Sequence, residues 1–580
     1  MSGPIEAKGL TKRFGEFTAV DGVTFSVRPG QVTGFLGRNG TGKTTTLRMM
    51  LGLERPTSGS VQVDGRPYAE LTSPLRHVGS LLDARAVQPA STAADHLLAL
   101  ARSNRIGRHR VDEVLEIVGL ADVGRKPART FSLGMLQRLG LAAALLGDPP
   151  ILVLDEPLNG LDPEGIIWFR NLMRRMAAEG RTVLVSSHVM AEMSVTADHL
   201  LIIGEGRLLV DSELKAFERE HEQEEIHVRT PDPRLLHDLL VEAGGVVREL
   251  DATSFAVSGL DGAVIGALAL RAGVELDESA SVRRSLEDAF MEITAPTGAD
   301  VMPPEPSHEP SANNAATEKP SVVRFRDILR SELTKFRSSR TRPLLVAGSM
   351  AASIGLAALG SNASGEHYPD LDQDERRAFD PTETSLKGRF LTQVTLGVLG
   401  ALAMTSEYDA DTIVPTLAAV PDRPRLLAAK ALTTAGISLG AGLVANTAAF
   451  LIGQAMLARH DAPHATFRSP GSARAVLGGG LHSTASALLG LGIGTLTRST
   501  AGAISTLFGA ELLVPAFEGG FPKPLPDLFA KYWPTDAGAR ILTTRPAPKL
   551  LGPWGGLAVM AGATAALLGT ALTAFHRRDV

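Results

Sequence analysis

The chain contains no cysteine among its 580 residues. Disulfide bonds and thiolate metal sites are therefore excluded. Stability has to come from packing, from ligand binding or from a bilayer, and the redox compartment is not indicated by the composition.

A strong charge of one sign is also missing. The chain has 58 Lys and Arg residues against 63 Asp and Glu residues, for a formal net charge of −5. Attraction to a phosphate backbone needs a basic surface, and this balance supplies none across the whole protein. We therefore predict that nucleic acid is not a partner.

The first thirty residues lack the apolar segment of a secretory signal. They instead alternate apolar and polar residues as short strands do. The sequence thus predicts an amino terminus that stays in the cytoplasm.

What the chain has is length and apolar content, since 44% of its residues are hydrophobic. That is more than one core needs and predicts at least two domains. Composition changes near Ala295 and again near Arg342. The predicted segments are an α/β domain at 1–212, a soluble accessory region at 213–294, a disordered linker at 295–321, an amphipathic interfacial helix at 322–342 and a membrane domain at 343–580.

The segment that follows the linker has an apolar face at helical spacing. Between Arg324 and Arg342 there are seven Lys or Arg residues against two acids. Such a helix fits the inner surface of a membrane. Its apolar residues are Phe325, Ile328, Leu329, Leu333 and Phe336.

Six apolar stretches come next, and most are long enough for a bilayer, which needs about 20 residues per helix. The second and fifth are shorter, so either could be a broken or re-entrant helix. The basic residues before the first stretch and after the last predict that both termini are cytoplasmic. The stretches are 343–360, 390–405, 431–457, 475–497, 501–517 and 551–575.

The sharpest motif is GRNGTGKTT, which lies between a predicted strand and a predicted helix. Glycines in such a loop let backbone N–H groups point at phosphate oxygens, while Lys43 bridges the β and γ phosphates and Thr44 reaches Mg²⁺. A chance glycine turn gives the same pattern, so the motif needs support elsewhere. The nucleotide-binding residues predicted here are Gly37, Arg38, Asn39, Gly40, Thr41, Gly42, Lys43, Thr44 and Thr45.

Support comes from two adjacent acids that follow the apolar run 151–154. Asp155 is placed to hold Mg²⁺, and Glu156 is placed to orient or deprotonate the attacking water. The motif pair predicts an ATP-hydrolysing site.

Together with the segment FSLGMLQRLGLAAALLGDPPILVLDEPLNGLDPEGI, these motifs resemble ABC transporter ATPases, especially those of bacterial drug and peptide-antibiotic exporters. The resemblance implies an α/β P-loop ATPase domain, with a RecA-like core, a helical subdomain and an antiparallel β subdomain. It is fused here to an all-α membrane domain of about six helices. The segment SEYDADTIVPTLAAVPDRPRLLAAKAL is similar to the cytoplasmic stretch after the second span of such permeases.

The resemblance also assigns residues. Phe131 to Met135 match the family's signature loop. In that loop Ser132 and Gly134 would contact the γ-phosphate of ATP held by a second copy, which implies a homodimer. Asp162 ends a loop that crosses the dimer interface, and His188 matches the switch histidine, although alone it would more often be an ordinary strand-end residue. Phe14 falls where the family stacks an aromatic ring on adenine, with a core position as the alternative.

At five further positions the sequence departs from the family pattern or leaves alternatives open. Leu133 and Met135 depart from the commonest signature, but the antibiotic exporters tolerate such versions. Asp83 stands where a glutamine usually senses the metal, and either binds Mg²⁺ or caps a loop. Glu511 and His482 interrupt apolar stretches, and either line a path through the membrane or lie at a helix end near an interface.

The sequence thus predicts an ATP-driven exporter of a drug, peptide antibiotic or lipophilic compound in the cell membrane. Its predicted cofactors are ATP and Mg²⁺, and its predicted partners are a second copy, the bilayer and the cargo. The alternatives are a membrane-bound module that senses a ligand and an exporter of an ion or lipid. A non-transport ATPase is disfavoured by the six apolar stretches.

Overall fold

The structure is a computed structural model that describes residues 4–221, 224–283, 285–295, 323–339, 341–517, 525–545 and 550–579. It divides into two compact units. The first unit comprises residues 1–68 with 150–316, and the second comprises 69–149 with 317–580. The predicted linker, apart from Ala295, lies outside the described residues.

The first unit contains two sheets that belong to the predicted α/β domain. The three-stranded antiparallel sheet has the order Phe17–Val27, Ile5–Phe14, Ser58–Val63. In the other sheet, neighbouring strands follow in the order Ile151–Leu154, Thr182–Ser187, Val32–Leu36, His199–Gly204 and Arg207–Glu213. The first four of these strands are parallel, and the last pairs antiparallel with its neighbour. Its parallel strands are buried throughout, which explains their continuous apolar runs.

Helices cover this parallel sheet and begin beside its strand ends. They are Lys43–Met50, Pro163–Ala178, Met190–Ser194 and Leu214–His221. Proline opens the second of these at its first position, where the missing N–H costs nothing.

The accessory region folds as a β-α-β-β-α-β unit, the ferredoxin-like arrangement. All its strand pairs are antiparallel, and their order is Val246–Glu249, Ser254–Ser258, Glu224–Arg229, Glu278–Arg283. The helices Pro233–Glu242 and Gly262–Ala272 pack on this sheet through a core that includes Leu236, Phe255 and Ile265. A further helix, Leu286–Ile293, follows.

Residues 69–149 form a largely helical subdomain in the second unit. It contains the strand Val78–Leu81 and the helices Pro74–His77, Ala93–Ser103, Arg108–Ile117 and Leu133–Leu145. Leu97, Leu100 and Val114 are among the buried apolar side chains that hold these helices together.

The rest of the second unit is helical. Five helices of the described residues are long and apolar enough to cross a membrane: Thr341–Glu366, Arg423–Arg459, Ser472–Thr497, Thr500–Phe517 and Pro553–Arg577. The second predicted stretch, 390–405, lies within a further helix, Arg389–Asp409. Shorter helices are Phe325–Ser338, Gln373–Ala378, Pro381–Leu386, Ile413–Ala419, Leu525–Tyr532 and Pro534–Ala539.

Small residues set the spacing between two of the long helices. A Cβ added to Gly400 would lie 1.8 Å from the carbonyl oxygen of Ala487, and one added to Gly490 would lie 1.9 Å from that of Gly397. The helices Arg389–Asp409 and Ser472–Thr497 therefore approach each other backbone to backbone, which only small side chains permit.

Candidate nucleotide site

The phosphate loop connects the strand Val32–Leu36 to the helix Lys43–Met50. Gly42 caps that helix with a φ of 99°, a value that favours glycine. A Cβ there would lie 2.4 Å from the carbonyl oxygen of Ala19, and one at Gly37 would lie 2.6 Å from that of Ile203. The loop therefore keeps its backbone close to its neighbours and its N–H groups uncovered by side chains, as a phosphate cradle requires.

Lys43 is held inside this loop, with 6% of its side chain exposed. Its Nζ donates to the carbonyl oxygens of Gly37 at 2.5 Å and Arg38 at 3.2 Å, and it lies 3.6 Å from Glu156 Oε1. Burial lowers the pKa of Lys43 and outweighs the opposite effect of Glu156 and Asp155. The ammonium is thus poorly solvated, and a phosphate oxygen would supply a stronger acceptor than a neutral carbonyl.

Asp155 and Thr44, both predicted to hold the metal, are brought together. Thr44 Oγ1 donates to Asp155 Oδ2 at 2.7 Å, and Ser186 Oγ donates to Asp155 Oδ1 at 2.5 Å. Burial raises the pKa of Asp155 despite these two hydrogen bonds. Ser186 was not among the predicted residues; the only signal for it is the pair of serines that ends the strand Thr182–Ser187.

Glu156 has a positive φ of 47° at the end of its strand. Its backbone N–H donates to Ser186 Oγ at 2.9 Å, and its Oε2 lies 2.7 Å from His188 Nδ1. The structure therefore joins the two predicted catalytic residues, His188 and Glu156, in one contact.

Phe14 lies at the hairpin between the strands Ile5–Phe14 and Phe17–Val27, where it is paired with Phe17. Its side chain is 46% exposed, so it is not a core residue. Lys12 Nζ lies 4.9 Å from the centroid of its ring. An exposed ring of this kind is available for stacking.

Three of the predicted residues act as caps. Asp162 Oδ1 accepts the N–H of Gly165 at 3.0 Å and so caps the helix Pro163–Ala178. In the second unit, Ser132 Oγ accepts the N–H of Met135 at 3.3 Å and so caps the helix Leu133–Leu145. Gly134 lies in the first turn of that helix. Asp83 Oδ1 accepts the N–H of Arg85 at 2.7 Å, which is a loop-capping contact.

Within the second unit, the helix Ile413–Ala419 belongs to the segment that resembles a permease cytoplasmic stretch. Its residues Val414 and Pro415 share a pocket with residues of the helical subdomain. Asn104, which is fully buried, donates from Nδ2 to the carbonyl oxygen of Ala419 at 2.9 Å. Sequence reasoning missed Asn104, because nothing local marks a partner 315 residues away.

The glycine loop, the buried lysine and the paired acids suit a nucleoside triphosphate, and comparison with known proteins agrees. Residues 20–159 match the family described as ABC transporter. The bacitracin transport ATP-binding protein BcrA of Bacillus licheniformis is 38% identical over 307 residues, which are 50% of this chain and 98% of the relative. The chain belongs to the ABC transporter ATP-binding family, and its ATPase domain binds and hydrolyses ATP to power transport.

Two other relatives are similar over shorter stretches. The lantibiotic transport ATP-binding protein SrtF of Streptococcus pyogenes is 33% identical over 37% of this chain and 93% of the relative. The Nod factor export ATP-binding protein I of Burkholderia orbicola is 37% identical over 41% of this chain and 80% of the relative. Residues 224–287 match a domain of unknown function. With its five apolar helices, the chain is a membrane protein with a cytoplasmic ATPase.

Proposed function

We propose that this chain is a half-transporter that pairs with a second copy and exports a drug, peptide antibiotic or lipophilic compound. The observation that carries the proposal is that one chain holds both the cluster of Lys43, Asp155, Glu156 and His188 and five helices suited to a membrane. The ATPase site and the membrane helices of the proposed transporter therefore lie on the same polypeptide.

In this proposal each residue of the site has one task. Lys43 binds the β and γ phosphates, Thr44 and Asp155 hold Mg²⁺, and Glu156 orients the attacking water while His188 keeps the carboxylate in place. Bound Mg²⁺ would neutralise charge that develops on the phosphate oxygens. Asp83 is an additional candidate Mg²⁺ ligand in this proposal.

The homodimer follows from the signature loop. Ser132 and Gly134 lie at the N-terminus of the helix Leu133–Leu145, where backbone N–H groups and the helix dipole favour an anion. We assign this end to the γ-phosphate of ATP bound by the second copy, with Asp162 on the loop between the copies. ATP then binds the paired state better than the separated state, and hydrolysis removes that difference.

A cluster of four buried charges ties the helix Ile413–Ala419 to the membrane domain. Lys430 Nζ lies 2.9 Å from Glu332 and 2.6 Å from Glu407, and Lys335 Nζ lies 2.9 Å and 2.8 Å from the same two acids. Lys335 also donates to Thr416 Oγ1 at 3.0 Å. Through this cluster, a displacement of the helix Ile413–Ala419 would be passed to the long helices.

The helix Phe325–Ser338 also fits the proposed position on the inner membrane surface. It buries polar residues, among them Asp327, Ser331 and Glu332, and leaves Phe325 at 36% exposure. Ile328 is buried in the protein, and the exposed side of the helix carries Arg326, Arg330 and Arg337, which suits an anionic inner membrane surface. In this proposal both termini of the chain lie in the cytoplasm.

The experiment that tests the proposal is ATP-driven uptake into inside-out vesicles that contain the purified full chain. Bacitracin, a lantibiotic and a lipophilic dye serve as cargo, because the relatives' names mention the first two classes. Uptake that needs ATP and is lost in Glu156→Gln supports export. ATPase stimulation by a compound that is never accumulated would instead favour a ligand sensor and overturn the proposal.

A further inference from the structure

Glu511 lies in the middle of the apolar helix Thr500–Phe517, at a point where the helix widens into a π-helical turn, Gly509–Leu513. Its side chain is only 6% exposed. Neither carboxylate oxygen has a hydrogen-bond partner in the part of the chain that the structure describes. An unpaired charge within a bilayer costs about 3 kcal/mol or more, and π-helical turns frequently accompany functional sites.

Two polar side chains from neighbouring helices lie beside this carboxylate. They are Ser486 of the helix Ser472–Thr497 and Gln393 of the helix Arg389–Asp409. Ser486 is fully buried, and its Oγ has no hydrogen-bond partner among the described residues. Three helices thus bring the carboxylate of Glu511, the hydroxyl of Ser486 and the amide of Gln393 to one place.

The nearby cation is already engaged. Arg389 Nη1 donates to Gln393 Oε1 at 3.1 Å. The acids that interact electrostatically with Arg389 are Glu383 and Asp536. Arg389 is therefore not the counter-ion of Glu511, and Gln393, whose Oε1 accepts from Arg389, presents its amide N–H donors to the carboxylate.

The chemistry of these acceptors selects the ligand. The two carboxylate oxygens of Glu511 and the hydroxyl oxygen of Ser486 can together accept the three N–H donors of a primary ammonium group. A divalent metal would require more ligands, and the described residues contain no group of three His, Cys, Asp or Glu side chains that could hold one.

We propose that Glu511 and Ser486, with Gln393 beside them, form a binding site for the protonated amino group of the cargo. This inference rests on the proposed transport function and narrows its substrate class to amphipathic compounds or peptides that carry a primary amine. The π-helical turn places the carboxylate between the helices Arg389–Asp409 and Ser472–Thr497 and away from lipid.

A pair of ligands that differ only at the amine tests the site. Dansylcadaverine has a lipophilic dansyl group and a free primary amine, and its N-acetyl derivative lacks the charge. Binding of each to the full chain in nanodiscs, without nucleotide, is measured by energy transfer from tryptophan. Trp533 is a built-in donor, because its Nε1 donates to the carbonyl oxygen of Ala510 at 2.8 Å, next to Glu511. Trp533→Phe identifies the part of the signal that arises there.

We expect saturable binding of the amine, with a Kd at least about tenfold lower than that of the N-acetyl derivative, since a charge-assisted hydrogen bond contributes more than a neutral one. In Glu511→Gln the two ligands should bind alike. Ser486→Ala should weaken the binding of the amine several-fold, and it provides a milder variant if Glu511→Gln does not fold. Glu366→Gln, at an exposed helix end, is the matched control and should behave as the unaltered chain.

Equal binding of the two ligands to the unaltered chain would overturn the site, as would full amine binding by Glu511→Gln. Because binding is measured without nucleotide, its outcome is separate from that of the uptake experiment. ATP-driven uptake without amine preference would reject the amine site alone, whereas amine preference without uptake of any cargo would reject export.

Discussion

His188 Nδ1 lies 2.7 Å from Glu156 Oε2, and the same carboxylate is 3.6 Å from Lys43 through its other oxygen. The carboxylate is therefore held from two sides at the end of the strand Ile151–Leu154. A general base works only when its geometry is fixed relative to the reacting water, and this pair of contacts fixes it.

Glu156→Gln should keep ATP binding but lower the turnover number by about 10²- to 10⁴-fold, since the neutral amide cannot act as a base. ATP-bound dimers should accumulate, which light scattering coupled to size-exclusion chromatography would detect. Glu164→Gln, an exposed acid on the next helix, is the control and should hydrolyse ATP at the normal rate. Rapid hydrolysis by the purified Glu156→Gln protein would reject the assignment.

Ser186→Ala should weaken Mg²⁺ binding in the presence of ATP by about 10- to 100-fold, the usual effect of removing a group that orients a metal ligand. The reason is that Asp155 Oδ1 loses its hydrogen bond from Ser186 Oγ. ATPase activity titrated with Mg²⁺ measures the change. Recovery of the full rate at high Mg²⁺ is expected, and an unchanged Mg²⁺ requirement would argue against the role. Ser187→Ala, the adjacent serine, is the control.

Asn104→Ala should separate ATP hydrolysis from transport. The change leaves the carbonyl oxygen of Ala419 and the N–H of Leu75 without their buried partner, at a cost of about 1–3 kcal/mol each. We expect basal ATPase activity to persist while cargo-stimulated activity and vesicle uptake fall. Glu116→Ala, on the exposed face of a neighbouring helix, should change neither. Normal uptake by Asn104→Ala would contradict this contact's role.

Glu332 makes stability depend on pH. Burial alone would raise the pKa of Glu332, but Lys335 and Lys430 outweigh it and lower the pKa to about 2. A lowered pKa contributes stability that is present above the ordinary value of 4.5 and is lost as pH falls from 4.5 toward 2. The melting temperature of the unaltered chain in nanodiscs should therefore drop across this window.

Glu332→Gln should remove much of that pH dependence and destabilise the chain by about 3–5 kcal/mol at pH 7, since it leaves buried lysines short of a partner. Adding Lys430→Met should restore part of the loss, because the unpaired charge is then gone. A melting profile of Glu332→Gln that matches the unaltered chain at every pH would contradict the buried cluster.

The phosphate loop and the Asp155–Glu156 pair could be predicted because each depends on residues adjacent in sequence. The contact between Thr44 and Asp155 could be expected too, because the strands that precede them, Val32–Leu36 and Ile151–Leu154, belong to one parallel sheet. The roles assigned to Ser132 and Asp162 in a dimer, and to Asp83 as a Mg²⁺ ligand, stay predictions.

Other features depend on packing that no local pattern encodes. The ferredoxin-like unit was predicted only as a soluble accessory region, because its pairing strands, such as Glu224–Arg229 and Glu278–Arg283, lie far apart in sequence. Lys430 and Glu332 are 98 residues apart, and each alone resembles an ordinary interfacial charge. Glu511 could equally have lain at a helix end, and only the fold places it in a buried turn.

The glycine contact between the helices Arg389–Asp409 and Ser472–Thr497 leaves no gap in which a rotamer change could absorb sliding. We therefore expect these two helices to move together as one rigid body. Ser486 and Gln393, one on each helix, then keep their mutual distance during a conformational change. Glu511, on the helix Thr500–Phe517, can instead move relative to both.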